Sequence, residues 1–379
     1  MSSSENLAKT PLYDWHAAHG GRMVDYAGWA MPVQYGSIVG EHHATRNAVG
    51  LFDISHMGRL LFSGADAEAF LDSLSTRKVT DLKPGQIRYS LICNERGGVL
   101  DDVLIYRIEL EDGVRSGSGR LSGFGMVVNA SNRLKIVDWI NSHLVGQDVQ
   151  VEDISTEYAM IALQGPKAIE LLEPLTHHPL TSLRYYTGAE TKVDGCGCYL
   201  SRTGYTGEDG CEIVVHADLA AQLWESLHAK AAEADGMAVG LAARNTLRLE
   251  AGMPLYGHEL SEDINPIQAG LGFAVTLKDR QFIGRDALVA ATQDKGQRVR
   301  VGLQLDGRRA PREGYPVLQE NEVVGEVTSG TFSPTLDRPI AMAYVKPTAA
   351  APGEPVAVDF RGSQLPATIA PPVFYERGK

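Results

Sequence analysis

Two consecutive carboxylates, Asp101 and Asp102, interrupt the otherwise apolar run Val99-Leu-Asp-Asp-Val-Leu-Ile-Tyr106. An ionised carboxylate is costly to bury unless it is paired or hydrogen-bonded. On a strand, adjacent residues point to opposite faces, so the two carboxylates do not share one role. Each can cap a turn or meet an arginine, or one of them can face a ligand cavity; alternation does not choose between them. Tyr89 lies on the preceding strand, within reach of the same cavity. Two further stretches offer chemistry. In Ser201-Arg-Thr-Gly-Tyr-Thr-Gly-Glu-Asp-Gly-Cys-Glu-Ile213 a tight loop projects Tyr205 and Glu212. In Gly240-Leu-Ala-Ala-Arg-Asn-Thr-Leu-Arg-Leu-Glu250, Arg244 and Arg248 stand four apart on one helix face. A salt-bridged face would explain them, but an arginine in an apolar segment calls for an anionic partner.

Other chemistries fit less well. Glu41-His42-His43 resembles a metal cluster, but adjacent helical residues diverge by about 100°, so one ion does not easily take both histidines. A helix that runs to Val49 and is stopped by Gly50 is expected there. Cys196-Gly-Cys198 has no second pair to complete a zinc site, and with Cys93 and Cys211 the four cysteines read as ordinary thiols of a reducing compartment. Glycines 204, 207 and 210 lack the Gly-Lys-Ser/Thr ending of a phosphate loop. The expected metal complement is none.

The elements that position these residues follow from local pattern. Asn94-Glu-Arg-Gly-Gly98 is a turn, its glycines tolerating positive φ. It joins the strand Arg88–Cys93 to the Asp-Asp strand as a hairpin. That strand is apolar on both faces, with Val99, Val103 and Ile105 on one and Leu100, Leu104 and Tyr106 on the other, and so is covered on both sides. Residues 114–123, rich in Gly and Ser and basic, read as an extended, flexible hairpin tip. Asn129-Ala-Ser-Asn132 starts a helix with Ile136, Ile140 and Leu144 on its apolar face. Leu219, Leu223, Trp224 and Leu227 mark another helix. From Arg298 onward, short alternating strands punctuated by Pro and Gly form a separate antiparallel β-domain, sandwich or barrel.

At 379 residues, with 44% hydrophobic and 22% charged content, the chain has the composition of a globular protein of two or three domains. Its net charge of −12 argues against non-specific nucleic-acid binding. No stretch is long and apolar enough to cross a membrane, and the opening residues lack the pattern of a signal peptide. The expected location is cytoplasmic, with neither nucleic acid nor membrane as partner.

With these motifs in place the chain resembles the glycine cleavage T-protein (aminomethyltransferase) family. The resemblance runs from Pro11 nearly to the end, in ordered blocks at Tyr26–Tyr35, Val49–Gly58, Asn94–Tyr106, Val127–Asn132, Ser201–Ile213, Gly240–His258 and Gly325–Pro334. It implies an α+β protein of three domains in a cloverleaf around a central folate cavity. The first would comprise residues 1–54 and 145–235, the second 55–144 and 236–280, and the C-terminal β-domain 296–379. It also implies transfer of the one-carbon unit of an aminomethyl group, carried on the lipoyl arm of an H-protein, to tetrahydrofolate, with release of ammonia. Asp102 is then the carboxylate that faces the folate and acts in catalysis. Tyr89, Asn129, Tyr185, Tyr205, Glu212 and Arg244 fall on folate-pocket positions, and Arg377 is a further candidate in the tail.

Alternatives on the same scaffold are a folate-dependent demethylase and a non-catalytic folate-binding factor. The Lys-Gly-Cys-Tyr-x-Gly-Gln motif of the binding factors tied to iron–sulfur cluster assembly does not occur here. The chain departs from the family pattern at Asn245, expected to weaken a salt bridge behind Arg244, and at Phe273, Cys211 and the longer 114–123 segment. Arg298, Arg300, Arg308, Arg309 and Arg312 form a sequence cluster that is a candidate patch for an acidic H-protein, against the simpler reading of a solvated loop.

Overall fold

The computed structural model describes residues 7–110 and 121–378. Most of the stretch read as a flexible hairpin tip, residues 114–120, lies outside the described residues. Among the described residues, strands build a small three-stranded sheet (Ala8–Lys9, Trp29–Pro32 and Met23–Tyr26), two larger sheets that carry helices, and one closed barrel.

The first sheet has six strands in the order Gly188–Val193, Cys196–Ser201, Gly210–His216, Tyr158–Gln164, Gly50–Asp53 and Met237–Ala238. The helix Ala217–Glu233 covers one face, burying Ala220, Leu223, Trp224, Leu227 and Ala231 at the three- and four-residue spacing read from the sequence. The helix Ile38–Asn47 ends earlier than expected. Gly50 does not stop it but opens the next strand, where a Cβ would meet Thr45, Phe52 and Val239. Close approach, not positive φ, is what demands glycine there.

The second sheet orders Ile87–Cys93, Val99–Leu110, Leu121–Val128, Gly58–Ser63 and Gln150–Asp153. The resemblance places Gln150–Asp153 in the first domain, but the strand pairs with Gly58–Ser63 and belongs here. Helices Ala67–Leu74 and Arg133–His143 cover one face, and residues of the first sheet together with the helix Leu241–Glu250 cover the other. The Asp-Asp strand is therefore buried on both sides, as its composition required.

One detail of that strand differs from strict alternation. Ile92 pairs with Asp101 but Cys93 pairs with Val99, so Leu100 is an extra, bulged residue. A bulge resets parity. Leu100 consequently packs with Val103 and Ile105 rather than with Leu104 and Tyr106. The adjoining turn uses its two glycines differently. Gly97 adopts a φ of +81°, whereas Gly98 is needed because a Cβ would collide with the carbonyl of Glu262.

The C-terminal strands close into a six-stranded barrel, in the order Val299–Leu305, Arg338–Val345, Glu322–Ser333, Pro316–Gln319, Pro355–Phe360 and Ser363–Ala370. Their alternating residues, among them Val301, Leu303, Val317, Ala343 and Val358, fill its interior. A buried polar knot holds the barrel to the rest. Glu250, at the end of the helix Leu241–Glu250, accepts hydrogen bonds from Arg46 Nη2 at 2.9 Å, Thr335 Oγ1 at 2.8 Å and Ser333 Oγ. Tyr375 of the tail lies over the Arg46 guanidinium at 3.9 Å.

Candidate functional site

A cavity of about 870 Å³ opens where the two sheets, the helix Leu241–Glu250 and the barrel strand Glu322–Ser333 meet. Asp102 lines it and Asp101 does not. Regular alternation with Val103 and Ile105 places Asp101 on the helix-covered face, with no exposed surface. There its carboxylate accepts from the Asn129 backbone N–H at 2.9 Å, Asn129 Nδ2 at 2.8 Å and Asn132 Nδ2 at 2.6 Å. These donors begin the 3-10 turn and helix that follow, so Asp101 anchors a positive helix end. Asp102 accepts from Tyr89 Oη at 3.1 Å and from the same Asn129 Nδ2 at 2.8 Å. The two side chains thus leave opposite faces yet meet at one amide, which projects from the end of the neighbouring strand. Burial raises the proton affinity of both, and Asp102 beside it helps push Asp101 up to about 7.

Glu212 comes from the first sheet. It accepts from Thr203 Oγ1 through Oε2, and among the described residues no donor reaches Oε1. Burial raises its pKa, while the Thr203 bond and the charge of Arg244 oppose the rise. Tyr205 also lines the cavity, its hydroxyl tied to the carbonyl of Pro254. Arg244 lies over the Tyr205 ring at 4.8 Å and has no ion-pair partner among the described residues. It is a half-buried cation on the cavity wall.

Its helix neighbour Arg248 is different. Arg248 pairs with Glu259 at 2.8 Å and donates to Ser329 Oγ and to Asn245 Oδ1. Asn245 therefore supports Arg248, not Arg244, which corrects the expectation drawn from that departure. Cys211 is a buried core thiol opposite Leu163, raised to about 12 by burial. Phe273 is 66% exposed and stacks near Tyr89 with ring centroids 6.1 Å apart.

Six of the eight predicted residues, Tyr89, Asp102, Asn129, Tyr205, Glu212 and Arg244, line one cavity. Tyr185 and Arg377 do not line it. Arg377 lies over the Tyr185 ring at 5.6 Å and pairs with Asp209 at 3.4 Å. Tyr186 faces the cavity instead. Its φ of +61° is unusual for a tyrosine and is held from both sides, its N–H donating to Arg202 O and its carbonyl accepting from Ile87 N–H, each at 2.9 Å. Nothing in the local sequence distinguishes the two tyrosines. His56 stands in a motif block, but its residue type and spacing alone suggest no role. It is a buried cavity wall whose Nδ1 has no hydrogen-bond partner among the described residues, and burial lowers its pKa to about 3.

The remaining motifs are structural. Glu41 accepts from the N–H groups of Tyr35 and Gly240, and His42 bonds Thr246 and Thr335. The arginine cluster divides. Arg300 and Arg312 reach the cavity rim, whereas Arg308 and Arg309 are exposed on the barrel.

Residues 12–279 match the family model described as the GCVT N-terminal domain, and residues 298–376 match the glycine cleavage T-protein C-terminal barrel domain. An aminomethyltransferase of Streptomyces coelicolor is 45% identical over 384 residues, spanning 100% of both chains. One from Geobacillus kaustophilus is 45% identical, covering 98% of this chain and 100% of its own. The crystal structure of the glycine cleavage system aminomethyltransferase T from Bartonella henselae superposes with a TM-score of 0.88, at 35% identity and 98% coverage of both chains. The sheets, the barrel and the cavity between them are accordingly those of a shared ancestry: the chain belongs to the glycine cleavage T-protein family of aminomethyltransferases.

Proposed function

We propose that the central cavity binds tetrahydrofolate and that the protein transfers to it the one-carbon unit of an aminomethyl group presented on the lipoyl arm of an H-protein, releasing ammonia. The observation that carries this reading is the convergence of Asp102, Glu212 and Arg244, from three separate elements, on one aromatic-walled cavity. Its volume, about 870 Å³, is that of a small-molecule site.

The residues fit a folate. Tyr89, Tyr186 and Tyr205 supply flat walls for a fused ring. Glu212 keeps one carboxylate oxygen free of protein donors, suited to reading the N–H edge of a pterin. Arg244, without an acid of its own, suits an acceptor-rich edge of the ligand. Tetrahydrofolate supplies the amine nitrogen that takes up the carbon. Asp102 is the residue we assign to hold that nitrogen in place and to exchange its proton. Its raised pKa brings a carboxylate closer to neutral pH, where such exchange is most effective. Asn129 and Tyr89 fix the carboxylate's orientation with one hydrogen bond to each oxygen. The largely apolar floor of Ile54, Met57, Leu104, Val127 and Met160 keeps water from the reacting carbon.

The test is to supply the purified protein with aminomethylated H-protein and to follow ammonia with and without tetrahydrofolate. Folate-dependent release is expected. Release that is equally fast without folate would remove the cofactor from the reaction.

A further inference from the structure

The turn that carries the chain from the strand Gly50–Asp53 of the first sheet to Gly58–Ser63 of the second holds His56 on the cavity wall. His56 is 2% exposed, and Tyr26, also on the wall, packs edge-on against the imidazole with ring centroids 5.4 Å apart. No step of the proposed reaction uses this side chain.

Its surroundings leave it uncommitted. Nδ1 is sealed in protein without a hydrogen-bond partner among the described residues. Nε2 makes no hydrogen bond to a described residue either, and it is the nitrogen that a ligand in the cavity can reach. The buried carboxylate that acts on the ring, Asp53, is already taken. It accepts from Thr10 Oγ1 at 2.7 Å, His16 Nε2 at 2.9 Å and the Ser55 N–H at 2.9 Å. Arg59 directs its guanidinium at the carbonyls of Met57, Ser55 and Tyr158. Burial, with the charges of Arg244 and Arg59, keeps the imidazole neutral. A neutral ring carries one N–H and one lone pair. The proton belongs on Nε2, because a buried N–H without an acceptor is the rarer and costlier orphan.

The Arg244 charge acts on both His56 and Glu212, so the three groups are neighbours on the wall. Two donors, the Arg244 guanidinium and the His56 N–H, thus accompany one acceptor, the Glu212 oxygen that no protein donor reaches.

We propose that His56 is a specificity residue for the folate ring, its Nε2–H donating beside Arg244 to the 4-oxo oxygen, so that the site takes 4-oxo pterins and rejects 4-amino ones. The inference rests on the folate reading of the cavity. A carbonyl oxygen has two lone pairs, one for each donor. On the pterin that oxygen adjoins the N–H edge assigned to Glu212, so ring and wall present their donors and acceptors in matching order. An amino group in its place would turn N–H groups toward two donors and leave both without an acceptor.

The experiment measures anaerobic binding of tetrahydrofolate and of its 4-amino analogue, tetrahydroaminopterin, by calorimetry. The proteins are the full chain and its His56→Leu, His56→Gln and His56→Asn variants, with melting temperatures alongside. The unsubstituted protein should favour the 4-oxo ring by about a hundredfold or more, since the analogue leaves two donors unmet. His56→Leu should weaken tetrahydrofolate by about five- to tenfold and change the analogue by less than about threefold. Glutamine, whose amide reaches about as far as Nε2, should keep most of the preference, and asparagine, which reaches only as far as Nδ1, should not. His56→Leu removes a buried nitrogen that has no partner, so its melting temperature should hold or rise. Should the leucine protein not fold, an equal preference in the glutamine and asparagine proteins would overturn the inference by itself. Equal affinity of the unsubstituted protein for the two rings, or a loss in His56→Leu that is the same for both, would overturn it and leave the folate reading standing. A lower melting temperature with the preference intact would make His56 a wall residue only, and the inference wrong. If neither ligand binds, the folate reading fails and the inference with it.

Discussion

Replacing Asp101 and Asp102 one at a time by asparagine separates the two carboxylates by what they do. Asp101 accepts three hydrogen bonds, two through Oδ1 and one through Oδ2 from the Asn129 N–H. An asparagine there keeps one acceptor oxygen and turns an amide N–H toward a donor, at a cost of about 1–3 kcal/mol. A second effect opposes it. Burial beside Asp102 raises the folded-state pKa of Asp101 to about 7, above the unfolded value near 3.9. Between those values the folded protein holds a proton that the unfolded chain has released. The stabilisation is complete below about pH 4 and is lost as pH rises toward 7, at up to about 1.4 kcal/mol per unit. The substituted side chain would carry no such titration. The cost of Asp101→Asn, measured by urea unfolding, should therefore be largest near pH 4 and shrink by pH 8. Ammonia release by the folded fraction should be largely kept. Asp102→Asn should do the reverse, lowering transfer by ~10²–10⁴-fold with the fold intact. A cost of Asp101→Asn that grows with pH, or an inactive but fully stable Asp101→Asn protein, would refute the assignment of the two faces.

Arg244→Ala should weaken folate binding by ~1.5–3 kcal/mol in calorimetry, since a charge-assisted contact is lost and no protein partner replaces it. Glu250→Gln should destabilise the junction of helix and barrel by about 1–3 kcal/mol, because it weakens the bonds from Arg46 and the barrel hydroxyls while Arg46 keeps Glu208 at 2.8 Å. Burial alone would raise the Glu250 pKa, but its bond to His42, its bond to Ser333 and the Arg46 charge hold it at about 2. Its stabilisation is thus present above the unfolded value near 4.3 and is lost as pH falls toward 2, which acid unfolding of the two proteins would reveal as a smaller difference at low pH. Charge reversal at Arg308 and Arg309, both exposed on the barrel, should raise the KM for H-protein at low salt, and an unchanged KM would exclude them from the docking surface.

Much of the architecture is written locally. The alternation of Val299, Val301, Leu303 and Leu305 is a property of period two, and the strand follows from it wherever the segment lies. The helix Ala217–Glu233 is set by its apolar spacing in the same way. The turn at Asn94–Gly98 is legible because Asn94 Oδ1 caps the N–H groups of Arg96 and Gly98 at 3.0 Å, all within five residues. Five of the six predicted cavity residues, Asp102, Asn129, Tyr205, Glu212 and Arg244, stand in long motif blocks, and Tyr89 lies on the strand that pairs with one of them.

What remained hidden depends on neighbours distant in the chain. Gly50 reads as a helix stop, yet its glycine is required by Thr45 and Val239 packed against it in three dimensions. The parity of Leu100 turns on a bulge that only the pairing with Ile92 and Cys93 defines. Tyr186, not Tyr185, faces the cavity because Arg202, just past the strand Cys196–Ser201, and Ile87 of the second sheet hold its backbone at positive φ. Asn245 was matched to the wrong arginine because Glu259 and Ser329, which orient Arg248, are remote in sequence. The chain by itself determined which segments become strands and helices and which residue types gather for chemistry, because periodicity and turn propensity act over a few residues. The tertiary structure alone decided that Tyr186 rather than Tyr185 faces the cavity, and it supplies the reason that Asp102 rather than Asp101 does. Those choices are made by register and by hydrogen bonds between elements, to which local pattern is blind.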